Sequence, residues 1–223
     1  MDAPLAQRLQ AFADDVRALS PPFADIVDRM VKRLQSSNVG QSAPAPGEPM
    51  PPFLLPDQGG KLVSLERLLQ NGPVVLSFHR GHWCPYCRLN ADALARIEPE
   101  LTGLGAQIVA ISPEVQAYGG ELKSYPKAPF PVLSDVGGGY ALALNLLFWV
   151  GEEKRNAMVA AGYDITLFQG NETWMLPITA TFVIGSDGLV KARYIDPDYR
   201  HRMDIDDILD AVRKIAAPQP YAG

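Results

Sequence analysis

The sequence lacks any hydrophobic run long enough to cross a membrane, which would need about 18 consecutive apolar residues. It also lacks a basic run, and the net charge is −5 with a pI of about 5.2. Neither nucleic acid nor an anionic membrane is therefore indicated as a partner. No signal peptide or lipidation motif opens the chain. We expect a cytoplasmic protein, in which thiols rest in the reduced state.

Cysteine is also scarce, and the 223 residues contain only Cys84 and Cys87. An apolar run over residues 74–78 precedes them and predicts a buried strand. Apolar residues at helical spacing follow them, at Leu89, Ala93, Leu94, Ile97 and Leu101. The pair therefore lies between the end of a strand and the N-terminus of a helix.

A cysteine at that position has a physical reason to be reactive. The first turn of a helix carries unpaired N–H groups and partial positive charge, which stabilise a thiolate and lower its pKa. Pro85 suits the first helical position, where its missing N–H costs nothing. With Cys84 near the N-cap and Cys87 at the third helical position, the two sulfurs can bond with little backbone movement. This pattern favours redox chemistry.

Two other uses of the pair stay open. A zinc site could combine Cys84 and Cys87 with His79 and His82, although the usual second ligand pair is missing. A structural disulfide is the other alternative, without an export signal to support it. The redox interpretation itself needs no metal and no cofactor.

Residues 1–36 carry two apolar stripes at helical spacing, separated by a break at Ser20-Pro21-Pro22, and predict a helical hairpin. Each stripe needs cover from the other helix, from the main domain or from a second subunit in a homodimer. Residues 37–52 are rich in Ser, Ala, Gly and Pro and predict a linker that ends in extended structure.

Residues 53–217 predict one domain, and residues 218–223 a loose tail. The order is a short β-hairpin, a short helix capped by Ser64, and a strand–helix–strand crossover around the cysteines. A helix that starts at Pro113-Glu114, a short edge strand near residue 132, a hairpin around Asp187-Gly188 and a final helix follow. This is an α/β class with a central mixed sheet covered by helices on both faces.

This order resembles the thioredoxin-like fold, and within it the alkyl hydroperoxide reductase/thiol-specific antioxidant family, or peroxiredoxin-like branch. The resemblance covers about residues 45–217 and rests on these segments of the sequence: 47–57, 63–65, 78–87, 180–184 and 187–188. It implies a peroxidase that uses a reactive cysteine. The tetrad Cys84-Pro85-Tyr86-Cys87 is similar to that of glutaredoxins.

The family motif, Pro-x-x-x-Thr-x-x-Cys after the strand, is not fully matched. Aligned without gaps from Phe78, Arg80 takes the Pro position, Cys84 the Thr position and Cys87 the position of the peroxide-attacking cysteine. Thr179 stands where the family has a peroxide-polarising arginine and where thioredoxins have a cis-proline. Three other arginines are candidates for the missing charge: Arg80, Arg88 and Arg193.

Four side chains around the pair complete the candidate site. Trp83 and Tyr86 are expected to shape a pocket, and a packing role is an equally good interpretation for both. His82, in the loop, is placed to tune the thiolate. His79 points to the strand face opposite Phe78, where a packed core histidine is an equally good interpretation.

The leading hypothesis is a thiol peroxidase that reduces hydrogen peroxide or organic hydroperoxides. One thiolate becomes a sulfenic acid, the other cysteine condenses with it, and a Cys84–Cys87 disulfide results. The helix N-terminus favours Cys84 as the attacking sulfur, whereas the gapless alignment favours Cys87. The resemblance implies recycling by thioredoxin, glutaredoxin or glutathione. A thiol–disulfide oxidoreductase and a non-catalytic binding module are the alternatives.

Overall fold

The computed structural model describes residues 3–124 and 127–217. The helices are α1 (Leu5–Leu19), α2 (Pro21–Gln35), α3 (Leu65–Leu69), α4 (Pro85–Gly103), α5 (Gln116–Ser124), α6 (Gly139–Ala143), α7 (Glu152–Ala160), α8 (Ile165–Gln169) and α9 (Ile205–Ala216). The strands are β1 (Leu54–Pro56), β2 (Leu62–Ser64), β3 (Val74–Phe78), β4 (Gln107–Ser112), β5 (Val132–Ser134), β6 (Leu147–Trp149), β7 (Met175–Pro177), β8 (Ala180–Ile184) and β9 (Val190–Ile195). The tail predicted over residues 218–223 lies outside the described residues.

A five-stranded mixed sheet with the order β5-β4-β3-β8-β9 forms the centre of the protein. Strands β3, β4 and β5 run parallel, and β8 and β9 run antiparallel to their neighbours. Leu76, in the middle of β3, pairs with Val109 on one side and Phe182 on the other. The predicted crossover, edge strand and final hairpin are confirmed.

Helices cover both faces of this sheet, as predicted. Leu76 belongs to a buried cluster on one face, together with Leu144 at the end of α6. Val75 belongs to the cluster on the other face, with Leu94 of α4 and Val212 of α9. Because successive side chains of β3 point to opposite faces of the sheet, the core has two layers. The site lies at the carboxyl end of β3, where α4 begins.

The N-terminal hairpin of α1 and α2 packs on the main domain. Leu9 of α1 and Val27 of α2 are buried in one cluster with Cys84 and Tyr86 of the candidate site. Of the three ways to cover the apolar stripes, the structure thus uses the hairpin itself and the main domain. Leu19, the last residue of the first stripe, is 86% exposed and stays outside this contact.

Three ion pairs hold the hairpin at its edges. Arg8 pairs with Asp92 of α4 at 2.8 Å. Arg29 pairs with Glu153 of α7. Asp28 accepts a hydrogen bond from Arg200, at 2.7 Å, in the segment between β9 and α9. These contacts connect the hairpin to three separate parts of the domain.

Two regions differ from the sequence predictions. Strands β6 and β7 pair as a small antiparallel sheet, and α8 lies between α7 and β7; none of the three was predicted. Helix α5 begins at Gln116 rather than at Pro113. The buried carboxylate of Glu114 accepts the backbone N–H of His82 at 2.8 Å, which holds this segment as a turn. Within the described residues, no helix combines the length and apolarity of a membrane span.

Candidate active site

The loop from the end of β3 to the start of α4 positions the two cysteines. Cys84 is the N-cap of α4, Pro85 is its first residue, and Cys87 is its third. Gly81 bends this loop with a φ of +141°. A Cβ there would lie 2.5 Å from Trp83 Nε1 and 2.6 Å from a Glu114 carboxylate oxygen. The loop therefore needs glycine both for its backbone conformation and for space.

The two sulfurs lie in unequal surroundings, although both thiols are unoxidised and buried. Burial raises the pKa of Cys84, but the Cys87 S–H that donates to it and the Arg80 guanidinium bring this pKa down to about 6. Burial, together with its bond to Cys84, raises the pKa of Cys87 to about 12. At neutral pH, Cys84 is the thiolate and Cys87 the thiol. The electrostatics thus favour Cys84 as the attacking sulfur over Cys87, which the gapless alignment favours.

Arg80, one of the three candidate arginines, lies at the pair. Its side chain is 2% exposed, and its backbone N–H donates to Cys87 Sγ at 3.3 Å. Arg88 instead donates to the carbonyl of His82, and Arg193 to the carbonyl of Ala43.

Arg202 is a further cation at the site, with Nη2 3.6 Å from Cys87 Sγ, and no pattern in the sequence predicted its role. Its guanidinium also lowers the pKa of Cys84. It lies between β9 and α9, far from the tetrad in the chain. Only the fold brings it to the sulfurs.

The histidines lie in different places. His82 Nδ1 is 2.7 Å from a Glu114 oxygen, and its ring stacks on Tyr118 and packs edge-on against Phe168. These contacts hold His82 through Glu114 rather than through a sulfur. His79 is fully buried, with Nε2 3.1 Å from Ser77 Oγ on the same strand face. Its ring also works against the effect of burial and lowers the pKa of the Cys87 thiol.

Of the remaining predicted side chains, Trp83 and Tyr86 lie in the same hydrophobic cluster as the pair. The Trp83 ring centroid lies 5.1 Å from the guanidinium carbon of Arg80. Tyr86 makes edge contacts with Phe12 and Tyr199, at 5.0 and 5.3 Å between ring centroids. Thr179 is buried, and its hydroxyl has no hydrogen-bond partner within residues 3–124 and 127–217. The described residues also contain no group of three or more His, Cys, Asp or Glu side chains placed to hold a metal ion, so the zinc alternative has no geometric support.

A cavity of about 180 Å³ opens beside Cys84. One wall, which we call the roof, comes from the N-terminal hairpin and includes Phe12, Val16, Phe23 and Val27. The rest of the lining includes Arg80, Trp83, Cys84, Tyr86, Lys154, Met158, Tyr163, Tyr199 and Arg200. The contribution of the hairpin to the site was not predicted from the sequence, because it depends on contacts between residues that are far apart in the chain.

The sheet order, together with a C-x-x-C pair at the start of the helix after the central strand, defines a thioredoxin-like redox fold. The family model described as the AhpC/TSA family matches residues 46–193. The chain belongs to the AhpC/TSA family. The roof lies outside the matched residues.

Solved structures agree on the fold. Peroxidoxin BcpB from Mycobacterium tuberculosis has a TM-score of 0.60 at 24% identity, covering 77% of this chain and 98% of that one. Peroxiredoxin Q from Xanthomonas campestris has a TM-score of 0.55 at 17% identity, covering 74% of this chain and 92% of that one.

Curated relatives match shorter segments. A prostamide/prostaglandin F synthase from Salmo salar is 39% identical over 67 residues, which is 30% of this chain and 34% of the relative. Peroxiredoxin Q, chloroplastic, from Oryza sativa subsp. japonica is 35% identical over 91 residues, or 41% of this chain and 42% of the relative. The similarity thus spans less than half the length of each of these relatives.

Proposed function

We propose that the protein is a thiol peroxidase in which Cys84 attacks the peroxide and Cys87 resolves the product. The observation that carries this proposal is the pairing of a Cys84 thiolate, with a pKa of about 6, with a protonated Cys87 at the wall of a cavity. A thiolate is the nucleophilic form of cysteine, and its partner thiol is in place for the second step.

In the first step the Cys84 thiolate attacks the terminal peroxide oxygen, and the O–O bond breaks. Hydroxide or alkoxide leaves and takes up a proton, and Cys84 becomes a sulfenic acid. Arg80 Nε and Nη2 are buried without a hydrogen-bond partner among the described residues, and Arg80 lines the cavity. These two N–H donors are suited to bind the peroxide oxygens while negative charge develops on the leaving oxygen.

In the second step Cys87 gives up its proton and attacks the sulfenic sulfur. The hydroxyl group leaves with that proton as water, and a Cys84–Cys87 disulfide forms. Two external thiols then reduce this disulfide and leave joined to each other by a disulfide bond. Cys84 and Cys87 are only 1% and 0% exposed, so glutathione reaches them more easily than thioredoxin or glutaredoxin. We place this cycle in the cytoplasm, where such thiols are abundant.

The alternative of a thiol–disulfide oxidoreductase has one observation in its favour. The low pKa of Cys84 at a helix N-cap also suits attack on a disulfide. The roof argues against a protein disulfide as substrate, because it covers the sulfurs.

Stoichiometric hydrogen peroxide added to the reduced protein tests the proposal. Stopped-flow fluorescence of Trp83, next to Cys84, should change far faster than a free cysteine reacts, and the intact mass should fall by two hydrogens. Cys87→Ser should stop at a sulfenic acid that dimedone traps, and Cys84→Ser should react no faster than free cysteine. A wild-type rate equal to that of free cysteine would refute the peroxidase.

A further inference from the structure

Lys154, on α7, is a buried amine whose contact is an aromatic ring and not an anion. Its side chain is 3% exposed, and Nζ lies 3.6 Å from the centroid of the Phe23 ring in the roof. Among the described residues, this Nζ makes no hydrogen bond and no ion pair. Lysine is almost never buried in this way unless it is paired. Burial, assisted by the nearby charge of Arg80, lowers the pKa of Lys154 to about 6.

Apart from the Cys84 thiolate, the charged side chains that line the cavity are all basic. Its lining includes Arg17, Arg80, Lys154 and Arg200, and the described lining contains no Asp or Glu. The carboxylates that pair with Arg17 and Arg200 belong to Asp25, Asp28 and Asp198, which lie outside the lining. The remaining walls are mainly apolar. A molecule that fits this cavity is therefore apolar in its body and negative at one point.

The sulfur does not use Lys154 as its main counter-ion. The thiolate of Cys84 is stabilised first by Cys87 and then by Arg80 and Arg202. The amine of Lys154 thus remains available to a ligand. A bound carboxylate would favour its charged form, because an opposite charge at contact distance offsets the cost of burial.

We propose that this cavity selects a peroxide with a small apolar body and a carboxylate group, and that Lys154 Nζ is the counter-ion of that carboxylate. The proposal rests on the peroxidase function and names the substrate class of the same site. A cavity of about 180 Å³ limits the body to one ring or a short chain, since an engineered cavity of about 150 Å³ holds benzene. The roof, outside the residues that match the family, supplies the contact with Phe23 that positions the amine.

Protection of Cys84 from iodoacetamide tests this without any peroxide. The probes are phenylacetate and phenylethanol, which share a ring and chain and differ in the carboxylate. Phenylacetate should protect the wild-type thiol at a concentration about tenfold lower than phenylethanol, as expected for a charge-assisted hydrogen bond. Lys154→Met and Lys154→Gln should bring the ratio of the two protective concentrations, phenylethanol to phenylacetate, close to one. Lys32→Met, which changes an exposed lysine on the hairpin, should leave it unchanged.

Equal protection by the two probes in the wild type would overturn the proposal, as would a preference for phenylacetate that persists in both Lys154 variants. The outcomes also separate this proposal from the peroxidase. Fast oxidation by hydrogen peroxide without protection by phenylacetate would refute only the proposed role of Lys154. Protection by phenylacetate without fast oxidation would leave the binding site and remove the peroxidase.

Discussion

The guanidinium carbon of Arg80 lies 3.8 Å from the centre of the Tyr199 ring. No carboxylate pairs with Arg80 in the part of the chain that the structure describes, so the aromatic face of Tyr199 takes the place of a counter-ion. An arginine that is buried without a carboxylate keeps its full positive field. Together with the hydrogen bond from Cys87, that field explains why the Cys84 thiol ionises although it is buried.

Arg80→Met should raise the pKa of Cys84 by about one to two units, because it removes a buried opposite charge. The pH dependence of alkylation by iodoacetamide gives this value directly. Arg67→Met, which changes an exposed arginine on α3, is the control and should leave the pKa of Cys84 at about 6. An unchanged pH profile in Arg80→Met would show that Cys87 and Arg202 alone stabilise the thiolate.

The reduced protein should gain stability as pH rises between 6 and 9. The pKa of Cys84 is about 6 in the folded protein, below its ordinary value of 9.0, so the folded state binds fewer protons than the unfolded state in this window. The contribution is complete above the ordinary value and is lost as pH falls through the folded one. Its upper bound is roughly 4 kcal/mol, from three pKa units. Urea unfolding of wild type and Cys84→Ser should show the difference, and parallel pH dependences in the two proteins would contradict it.

Gly81→Ala should destabilise the protein by about 1–3 kcal/mol, because alanine has to adopt a strained positive φ and contact Trp83 and Glu114. Gly103→Ala, at the end of α4, is the matched substitution. A Cβ at residue 103 meets nothing within 4 Å, and this change should be neutral or stabilising by up to about 1 kcal/mol. Urea unfolding measures both. Equal midpoints for the two variants would show that the Gly81 loop can relax.

The contact between Asp28 and Arg200 should contribute little to stability but control access to Cys84. The two side chains are 46% and 22% exposed. A double-mutant cycle with Asp28→Asn and Arg200→Gln should therefore give a coupling of about 0.2–1 kcal/mol. Asp28→Asn should still speed alkylation of Cys84 by a bulky maleimide, because it loosens the roof.

The pair Glu100 and Arg213, on α4 and α9, is the control for this prediction. Its side chains are about as exposed, at 48% and 50%, and it does not touch the hairpin. Glu100→Gln should leave maleimide alkylation unchanged. If both variants accelerate alkylation equally, the roof is not the barrier.

The parts of the fold that depend on local patterns could be predicted from the sequence. The buried run of β3, the helical spacing after Cys87 and the turn at Asp187-Gly188 each specify their element within a few residues. Ser64 caps α3 as predicted, with its side chain accepting the N–H of Arg67. By contrast, β6 and β7 have three residues each and pair across two helices, and so short a strand carries no recognisable alternation.

The residues of the site likewise fall into those that could be predicted from the sequence and those that could not. Cys84, Pro85 and Cys87 were predictable because their chemistry follows from position on one helix. Lys154, Tyr199 and Arg202 were not, because only the tertiary fold brings them to that helix. The proposed tuning of the thiolate by His82 remains a prediction, and the contact of His82 with Glu114 depends on a residue 32 positions away.

The bond from Arg200 to Asp28 joins residues 172 positions apart, and this separation matters while the chain is being made. Synthesis proceeds at about 5–20 residues per second, so Cys84 leaves the ribosome several seconds before the segment with Tyr199 and Arg202. Until then Arg80 has no Tyr199 ring beside it, and the hairpin has no Arg200 to hold it. A nascent chain thus carries two ordinary thiols, and its reactive sulfur appears only when the last part of the domain arrives.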